Sequence, residues 1–312
     1  MPTVSTKEFP KYPKGFASPK PEQTITEGEL KQLLGQGGIV TKKYNGNRCH
    51  VLVGEAGVEV YSIAGRLCWT PYIPQTAAFL TGLNLPAGTF LDGEFYVPSK
   101  ENVEAVQEMI NAGVGSEGHA AGAAAEARLN PRIAVFDVLF WAGEAIYSKP
   151  FAERRKLLEE HISASAAVHV TATVSIRDME HAFEIINQTG WEGMVINDPT
   201  APLNVNFGGN VKRNRSWKVK IRFQEDLLAT GCAVSKDTNL GVGTLFVSRR
   251  NAEGIWEPVG KVGSFEITFD RIKAVNATYP YMIEVSHYGV IAGNLQFAKV
   301  VRRRDDLVPG TF

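Results

Sequence analysis

The sequence predicts an α+β protein of two domains, a larger one of antiparallel sheets with helices and a smaller one that closes as a β-barrel. Three observations predict this. Short β-branched and aromatic runs separated by Gly turns, such as CHVLVG and VEVYSIAG, fill the stretch from Ile39 to about Val97. Segments with helical periodicity lie before and after it. After about Gln224 helices nearly vanish, and ATGCAVS, VGTLFVSRR, GIWEPVGKV, YMIEVSHYGV and AKVVRRR follow one another as short strands. About five such strands in fewer than a hundred residues suit a small barrel such as an OB-fold. The domains are therefore expected at 1–224 and 225–312.

The elements are read in chain order. Residues 1–24 hold five prolines and little periodicity, an extended lead-in. Thr26 and Glu29 form a capping-box pattern ahead of Leu30, Leu33 and Leu34, and Gly35 ends that helix. After the strands, ENVEAVQEMINAG puts Val103, Val106, Met109 and Ile110 on one helical face. VGSEGHAAGAAAEAR is low in complexity and reads as a mobile insertion or weak helix without chemistry. A strand from Ile133 to Trp141 comes next, then helices at Phe151–His161 and Met179–Asn187. Strands at Met194–Asn197 and Ser216–Ile221 complete the first domain, and one short helix, Phe269–Asn276, interrupts the second.

Composition narrows the function little. The 312 residues allow sizeable cores, and 44% hydrophobic with 21% charged residues is ordinary for a soluble protein. Thirty-three basic residues balance thirty-three acidic ones, so polyanion binding must come from local clusters. The scattered Cys49, Cys68 and Cys232 suggest neither a zinc site nor a disulfide framework. The N-terminus has no apolar signal segment, and no run approaches the roughly 18 apolar residues of a membrane span. A cytoplasmic monomer with no protein partner and no membrane is the expectation.

The chemistry centres on Lys43-Tyr44-Asn45-Gly46-Asn47-Arg48. A lysine attacks phosphorus only as the free amine, so burial or nearby cations must favour loss of its proton. Lys218 and Lys220 alternate with Val219 on a strand, share one face, and are suited to grip one phosphate. By itself Asn-Gly between apolar runs reads equally as a hairpin turn. Likewise Phe136 reads as a core aromatic, and Glu94 and Glu192 as solvated acids.

The blocks together resemble those of the covalent nucleotidyltransferase superfamily, and within it the ATP-dependent DNA ligases. Lys43–Arg48 is similar to the KxDGxR nucleotidyl-lysine block, Leu91-Asp92-Gly93-Glu94-Phe95-Tyr96 to the next one, and Val135-Phe136-Asp137-Val138 to the purine-stacking segment. Trp191-Glu192-Gly193-Met194-Val195 resembles the EG block and Lys218-Val219-Lys220 the KxK block. They stand in family order from about Ile39 onward, with PFAERRKLLEE in between. GKVGSF and the segment ending in Arg302-Arg303-Arg304-Asp305-Asp306 resemble ligase OB domains.

The resemblance implies a nucleotidyltransferase domain, ATP-grasp-like in its antiparallel sheets with helices, followed by an OB-fold domain. It implies ATP and Mg2+ (with Mn2+ as a substitute) as cofactors and nicked duplex DNA as partner. Lys43 would carry AMP, with Lys218, Lys220 and Arg304 as further catalytic groups. Arg48 and Glu94 would meet the ribose, Phe136 the adenine, and Arg302 with Arg304 the leaving pyrophosphate. Glu192, Asp92 and Glu94 are the implied metal ligands. Lys212, Arg213 and Arg215 are the DNA candidates in a basic run of their own.

The chain departs from the pattern in places. Asn45 replaces the usual aspartate, as in some RNA ligases, and Ile63 stands where a nick-binding arginine is usual, leaving Arg66 as its substitute. Asn197, Gln296 and Leu307 also replace basic residues. An RNA ligase, a GTP-using capping enzyme and a non-catalytic OB protein are the rival readings. The absent four-cysteine module and short lead-in fit poorly with the dinucleotide-dependent ligases.

Overall fold

Short strands and few helices make up the computed structural model, which describes residues 16, 19–22, 25–63, 68–98, 118–162, 167–205, 213–236, 241–267, 269–288, 290, 291, 294, 295 and 297–307. Two units divide the chain, Met1–Lys220 and Ile221–Phe312. In the first, β1 (Lys20–Glu22), α1 (Glu27–Gly35), β2 (Ile39–Lys43), β3 (Asn47–Gly54), β4 (Gly57–Ser62), α2 (Pro74–Gly82) and β5 (Thr89–Tyr96) come first. They are followed by α3 (Gly118–Leu129), β6 (Arg132–Trp141), β7 (Glu144–Ala145), α4 (Phe151–His161), β8 (Val168–Val170), α5 (Met179–Thr189), β9 (Gly193–Asn197) and β10 (Arg213–Val219).

These strands make two sheets. One has the order β1-β10-β9-β2, the other β4-β3-β5-β6-β7 with β8 added on β6. Most pairs are antiparallel, as expected, but β1 joins β10 and β8 joins β6 in parallel. The larger sheet is covered on both faces. Val51 and Val53 of β3 enter one core with Leu91, Phe95 and Leu158, while Leu52 between them enters another with Phe90 and Phe140. Two covered faces explain why Cys49–Val53 is an unbroken buried run rather than an alternating one.

Local chemistry fixes the helices. Thr26 and Glu29 close the predicted capping box, with the Thr26 amide donating to Glu29 Oε2 at 2.8 Å. PQTAAFLTG lies inside the stretch read as strands, yet it forms α2. Pro74 suits its first turn, and the buried Glu126 carboxylate of α3 accepts from the Gln75 and Thr76 amides at 2.9 and 2.7 Å. That contact also gives the Ala/Gly-rich segment a role. Gly122 lets α3 lie against Tyr72, where a Cβ would fall 2.9 Å from the Tyr72 Cβ. The helix expected over 101–113 lies outside the described residues.

The second unit holds β11 (Phe223–Val234), β12 (Val242–Arg250), β13 (Trp256–Val262), β14 (Ser264–Phe265), α6 (Arg271–Val275), β15 (Tyr281–His287), β16 (Val290–Ile291), β17 (Asn294–Leu295) and β18 (Lys299–Arg303). Six strands run in the order β13-β12-β11-β15-β18-β14, with β14 and β18 parallel. Its core is built by Leu227, Leu245, Val247, Ile283, Val285 and Val300. No helix among the described residues is long and apolar enough to cross a membrane.

Candidate active site

Lys43 ends β2 and Asn47 begins β3, and these strands belong to different sheets. The Asn-Gly segment is therefore a crossing between sheets and not the hairpin turn that is its other reading. Gly46 passes so close to β5 that a Cβ there would sit 2.2 Å from the Phe95 carbonyl oxygen. Tyr44 anchors the crossing from below. Its ring lies 4.6 Å from that of Tyr96, and the hydroxyls of both lie 3.3 Å from His169 Nε2. Burial, helped by Arg132 and Lys42, holds the His169 ring down at about 4, so it is neutral at pH 7. Lys42 points its ammonium over the Tyr44 and Trp191 rings, at 4.7 and 5.1 Å.

The lysines converge on one carboxylate. β9 pairs with β2 at Gly193↔Lys43 and with β10 at Met194↔Val219. Gly193 allows the close approach, since a Cβ would lie 2.1 Å from the Val219 carbonyl oxygen. Glu192, one residue before, accepts from Lys43 Nζ at Oε2 and from Lys220 Nζ at Oε1. Burial, then Lys220 and Lys43, push the Lys218 ammonium below the usual lysine range, with Glu192 opposing them.

A second cluster sits on the larger sheet. Arg48 and Glu94 are cross-strand partners on β3 and β5. The Arg48 guanidinium forks onto Asp92, with Nε donating at 2.8 Å, and its Nη1 donates to the Pro19 carbonyl oxygen at 2.5 Å. It also lies 5.2 Å from the Phe136 ring centre. Asp92 is fully buried and has His50 Nε2 at 3.5 Å as a second partner. Burial acts to raise its carboxyl, but Arg48 and His50 outweigh that and hold it at about 2. Asp92 thus braces Arg48 in this structure. Burial pushes the Glu94 carboxyl up to about 7, with Glu192 and Asp92 adding to the rise and Lys43 and Arg48 opposing it.

Lys43, Arg48, Asp92 and Glu94 open on one pocket of about 210 Å³, lined also by Thr41, Phe136 and Val195. Phe136 is half-buried between buried neighbours and faces this pocket rather than the core. Beside it Asp137 binds Arg154 of α4 at 2.7 and 2.9 Å, and Arg154 also donates to the Lys149 carbonyl. Among the described residues no three His, Cys, Asp or Glu side chains gather as a metal cluster.

Three further expected residues are paired with carboxylates of their own unit. In the second unit Arg304 is held by Asp226 and Asp306, each at 2.7 Å, and Arg302 by Glu284 at 2.6 Å. Arg215 meets the buried Asp198 at 2.6 Å. Arg66, Lys212 and the Arg213 side chain lie outside the described residues. Sequence reasoning missed Pro19, His50 and the Arg154–Asp137 pair. A signal existed for the last: Phe151, Arg154, Arg155 and Leu158 follow helical spacing, which puts two arginines on the buried face.

Known proteins resemble this chain in sequence and in fold. The sequence profile described as the ATP dependent DNA ligase domain matches residues 21–220. DNA ligase 1 of Methanosarcina acetivorans is 33% identical over 141 residues, which is 41% of this chain and 24% of that protein. The DNA ligase of Pyrobaculum neutrophilum is 25% identical over 287 residues, 87% of this chain and 47% of that one. The chain thus spans about half or less of the length of these curated relatives. Among solved structures, a Lig E DNA ligase superposes with a TM-score of 0.64 at 15% identity, covering 92% of this chain and 99% of that one. The ligase domain of LigD from M. tuberculosis gives 0.52 at 19% identity, covering 95% and 97%. Those two likenesses are of fold. The profile takes in well over half of the chain and every block from Lys43 to Lys220, and the protein belongs to the ATP-dependent DNA ligase family.

Proposed function

We propose that the protein seals 3′-OH/5′-phosphate nicks in duplex DNA, using ATP and passing through AMP bonded to Lys43. The observation that carries this reading is the convergence of Lys43 and Lys220 on Glu192 beside a pocket that also holds Arg48 and Phe136. Lys43 Nζ attacks the α-phosphorus of ATP. An N–P bond forms, the bond to the bridging oxygen breaks, and pyrophosphate leaves with the electron pair. Glu192, already hydrogen-bonded to Lys43, is the nearest acceptor for the proton the ammonium must lose. Lys218 and Lys220 neutralise the phosphate charge, Arg48 and Glu94 meet the ribose, and Phe136 stacks on adenine. AMP then passes to the 5′-phosphate of the nick, and the 3′-hydroxyl displaces it.

The donor set suits Mg2+, which takes one or two carboxylates and otherwise waters and phosphates. Glu192 and Glu94 would hold it, and a cation there would relieve the carboxylate repulsion that helps to raise Glu94. Bound there, Mg2+ supplies charge neutralisation at the phosphates. In this reading the second unit is the OB domain, bringing Arg302 and Arg304 to the pyrophosphate, and Lys212, Arg213 and Arg215 contact DNA. The protein works as a monomer in the cytoplasm.

Asn45 supports a second reading, an RNA ligase with the same chemistry. Both are tested by intact mass after incubation with ATP or GTP and Mg2+, followed by sealing of DNA–DNA, DNA–RNA and RNA–RNA nicks. The first reading expects an AMP adduct from ATP alone and fastest sealing of DNA–DNA nicks. Fastest sealing of RNA–RNA nicks would favour the second, a GMP adduct would favour a capping enzyme, and no adduct would overturn all three.

A further inference from the structure

The lead-in has a place in this pocket that its sequence does not announce. Phe16 is 3% exposed and packs with Leu52, Phe90, Leu139 and Leu203. Its ring meets His50 edge-on at 5.1 Å and Phe90 at 5.3 Å. Three residues on, the Pro19 carbonyl accepts from Arg48 Nη1, and Pro19 and Pro21 both line the pocket. β1 then pairs with β10, with Lys20 opposite Arg213 and Glu22 opposite Trp217. The family profile begins only at residue 21, so Phe16 and Pro19 fall outside it.

We infer that Phe16 and residues 19–22 are a working wall of the nucleotide pocket, and that Phe16 is a positioning residue for the Arg48 guanidinium. The route runs through His50, whose Nε2 lies 3.5 Å from Asp92 Oδ1, and through Asp92 to Arg48, while the Pro19 carbonyl gives the guanidinium a second acceptor. A guanidinium on a long side chain has several rotamers to lose on binding, and two fixed acceptors remove that cost before the ligand arrives. Proline at 19 suits the task because its own φ is fixed. The carbonyl it presents lies next to β1, which is held by its pairing with β10.

The inference rests on the nucleotide reading for its consequence, although its geometry does not. The test therefore has two readouts, on wild type, Phe16→Ala and Phe16→Leu. The first needs no nucleotide: the rate at which phenylglyoxal modifies Arg48, followed by peptide mass spectrometry. With the His50–Asp92 support loosened, Arg48 in Phe16→Ala should react several-fold faster, while Phe16→Leu, which refills most of the volume, stays near wild type. The second is formation of the protein–AMP adduct at graded ATP concentrations. Phe16→Ala should raise the half-saturating ATP concentration about tenfold, the equivalent of roughly 1.4 kcal/mol, and change the rate at saturation by less than about twofold. Unchanged Arg48 reactivity in Phe16→Ala, with thermal melting confirming a folded protein, would overturn the inference. So would a lower rate at saturation with unaltered ATP dependence. Faster Arg48 modification in a protein that never forms an adduct would instead sink the ligase reading and leave the positioning role standing.

Discussion

Lys43 and Glu192 are joined by an ion pair whose second carboxylate oxygen is taken by Lys220. The carboxylate thus ties the proposed nucleophile to a proposed phosphate ligand, while Lys42, the adjacent candidate, turns to the rings of Tyr44 and Trp191. Lys43→Ala is expected to abolish the AMP adduct, and Lys42→Ala to keep it. Glu192→Gln preserves shape but loses the acceptor, and adenylation should slow by about 10²–10⁴-fold. Intact and peptide mass spectrometry measures all three, and AMP found on Lys42 would reverse the assignment.

Arg302 and Arg304 are assigned to a leaving group that is present in one step only. Arg304 is held between Asp226 and Asp306 in the second unit, so it must exchange a carboxylate for pyrophosphate oxygens to act. The double Ala variant should lose lysine adenylation from ATP by about 10²-fold or more, the scale of removing one charge-stabilising group. Sealing of a nick already carrying 5′-AMP should fall far less. Equal losses in the two assays would mean that these arginines bind DNA.

Acid should unfold the first unit partly through Asp92. Its carboxyl stands at about 2, below the ordinary carboxylate range, because Arg48 and His50 outweigh the burial that acts to raise it. A depressed carboxyl contributes stability that is present above the unfolded value and is lost as pH falls through the folded one. The window is therefore about pH 4 down to 2, and the contribution is roughly 2 kcal/mol. Urea midpoints measured across that window should drop in wild type. They should drop less in Arg48→Met plus Asp92→Leu, where no charge remains to be protonated.

The blocks around Lys43, Glu192 and Lys218 were readable because each needs particular residue types at fixed local spacing. Gly46 and Gly193 show why: both sit where a Cβ would strike a backbone oxygen of the neighbouring strand. The extent of α2 was not readable, since PQTAAFLTG has no strong helical face and its cap comes from Glu126, fifty residues on. The parallel docking of β1 on β10 was hidden for a like reason. Its partners are nearly two hundred residues apart, and a three-residue strand carries almost no pattern. That Arg48 and His50 take up the oxygens of Asp92 was likewise hidden, because nothing local in the sequence reveals it.

A neutral chain must hold DNA by clusters, and Lys212, Arg213 and Arg215 are the proposed one. Each phosphate neutralised contributes roughly 0.9 to the slope of log affinity against log salt. Arg213→Ala plus Arg215→Ala should flatten that slope for nicked duplex by about one to two units and leave adenylation largely intact. Arg215 enters with a handicap, because it already pairs with the buried Asp198. An effect confined to Arg213→Ala would show that this pair survives DNA binding. An unchanged slope with lost adenylation would move the arginines to the nucleotide site.

Arg154 is the largest fully buried side chain among the described residues, and its charge is met by Asp137 on the strand that carries Phe136. Removing one partner of such a pair leaves an uncompensated buried charge, so Arg154→Met or Asp137→Leu alone should cost about 3–5 kcal/mol. Removing both leaves no charge, and the double variant should be much more stable than the two single losses added together. It should not return fully to wild type. The Lys149 carbonyl loses its guanidinium donor, and the Val138 amide, 2.8 Å from Asp137 Oδ1, loses its acceptor. Urea unfolding of the four proteins gives the coupling energy directly, and a value of several kcal/mol is expected. Additive losses would mean that Asp137 and Arg154 act through separate contacts. Phe136 would then owe its place at the pocket to the packing of β6 alone.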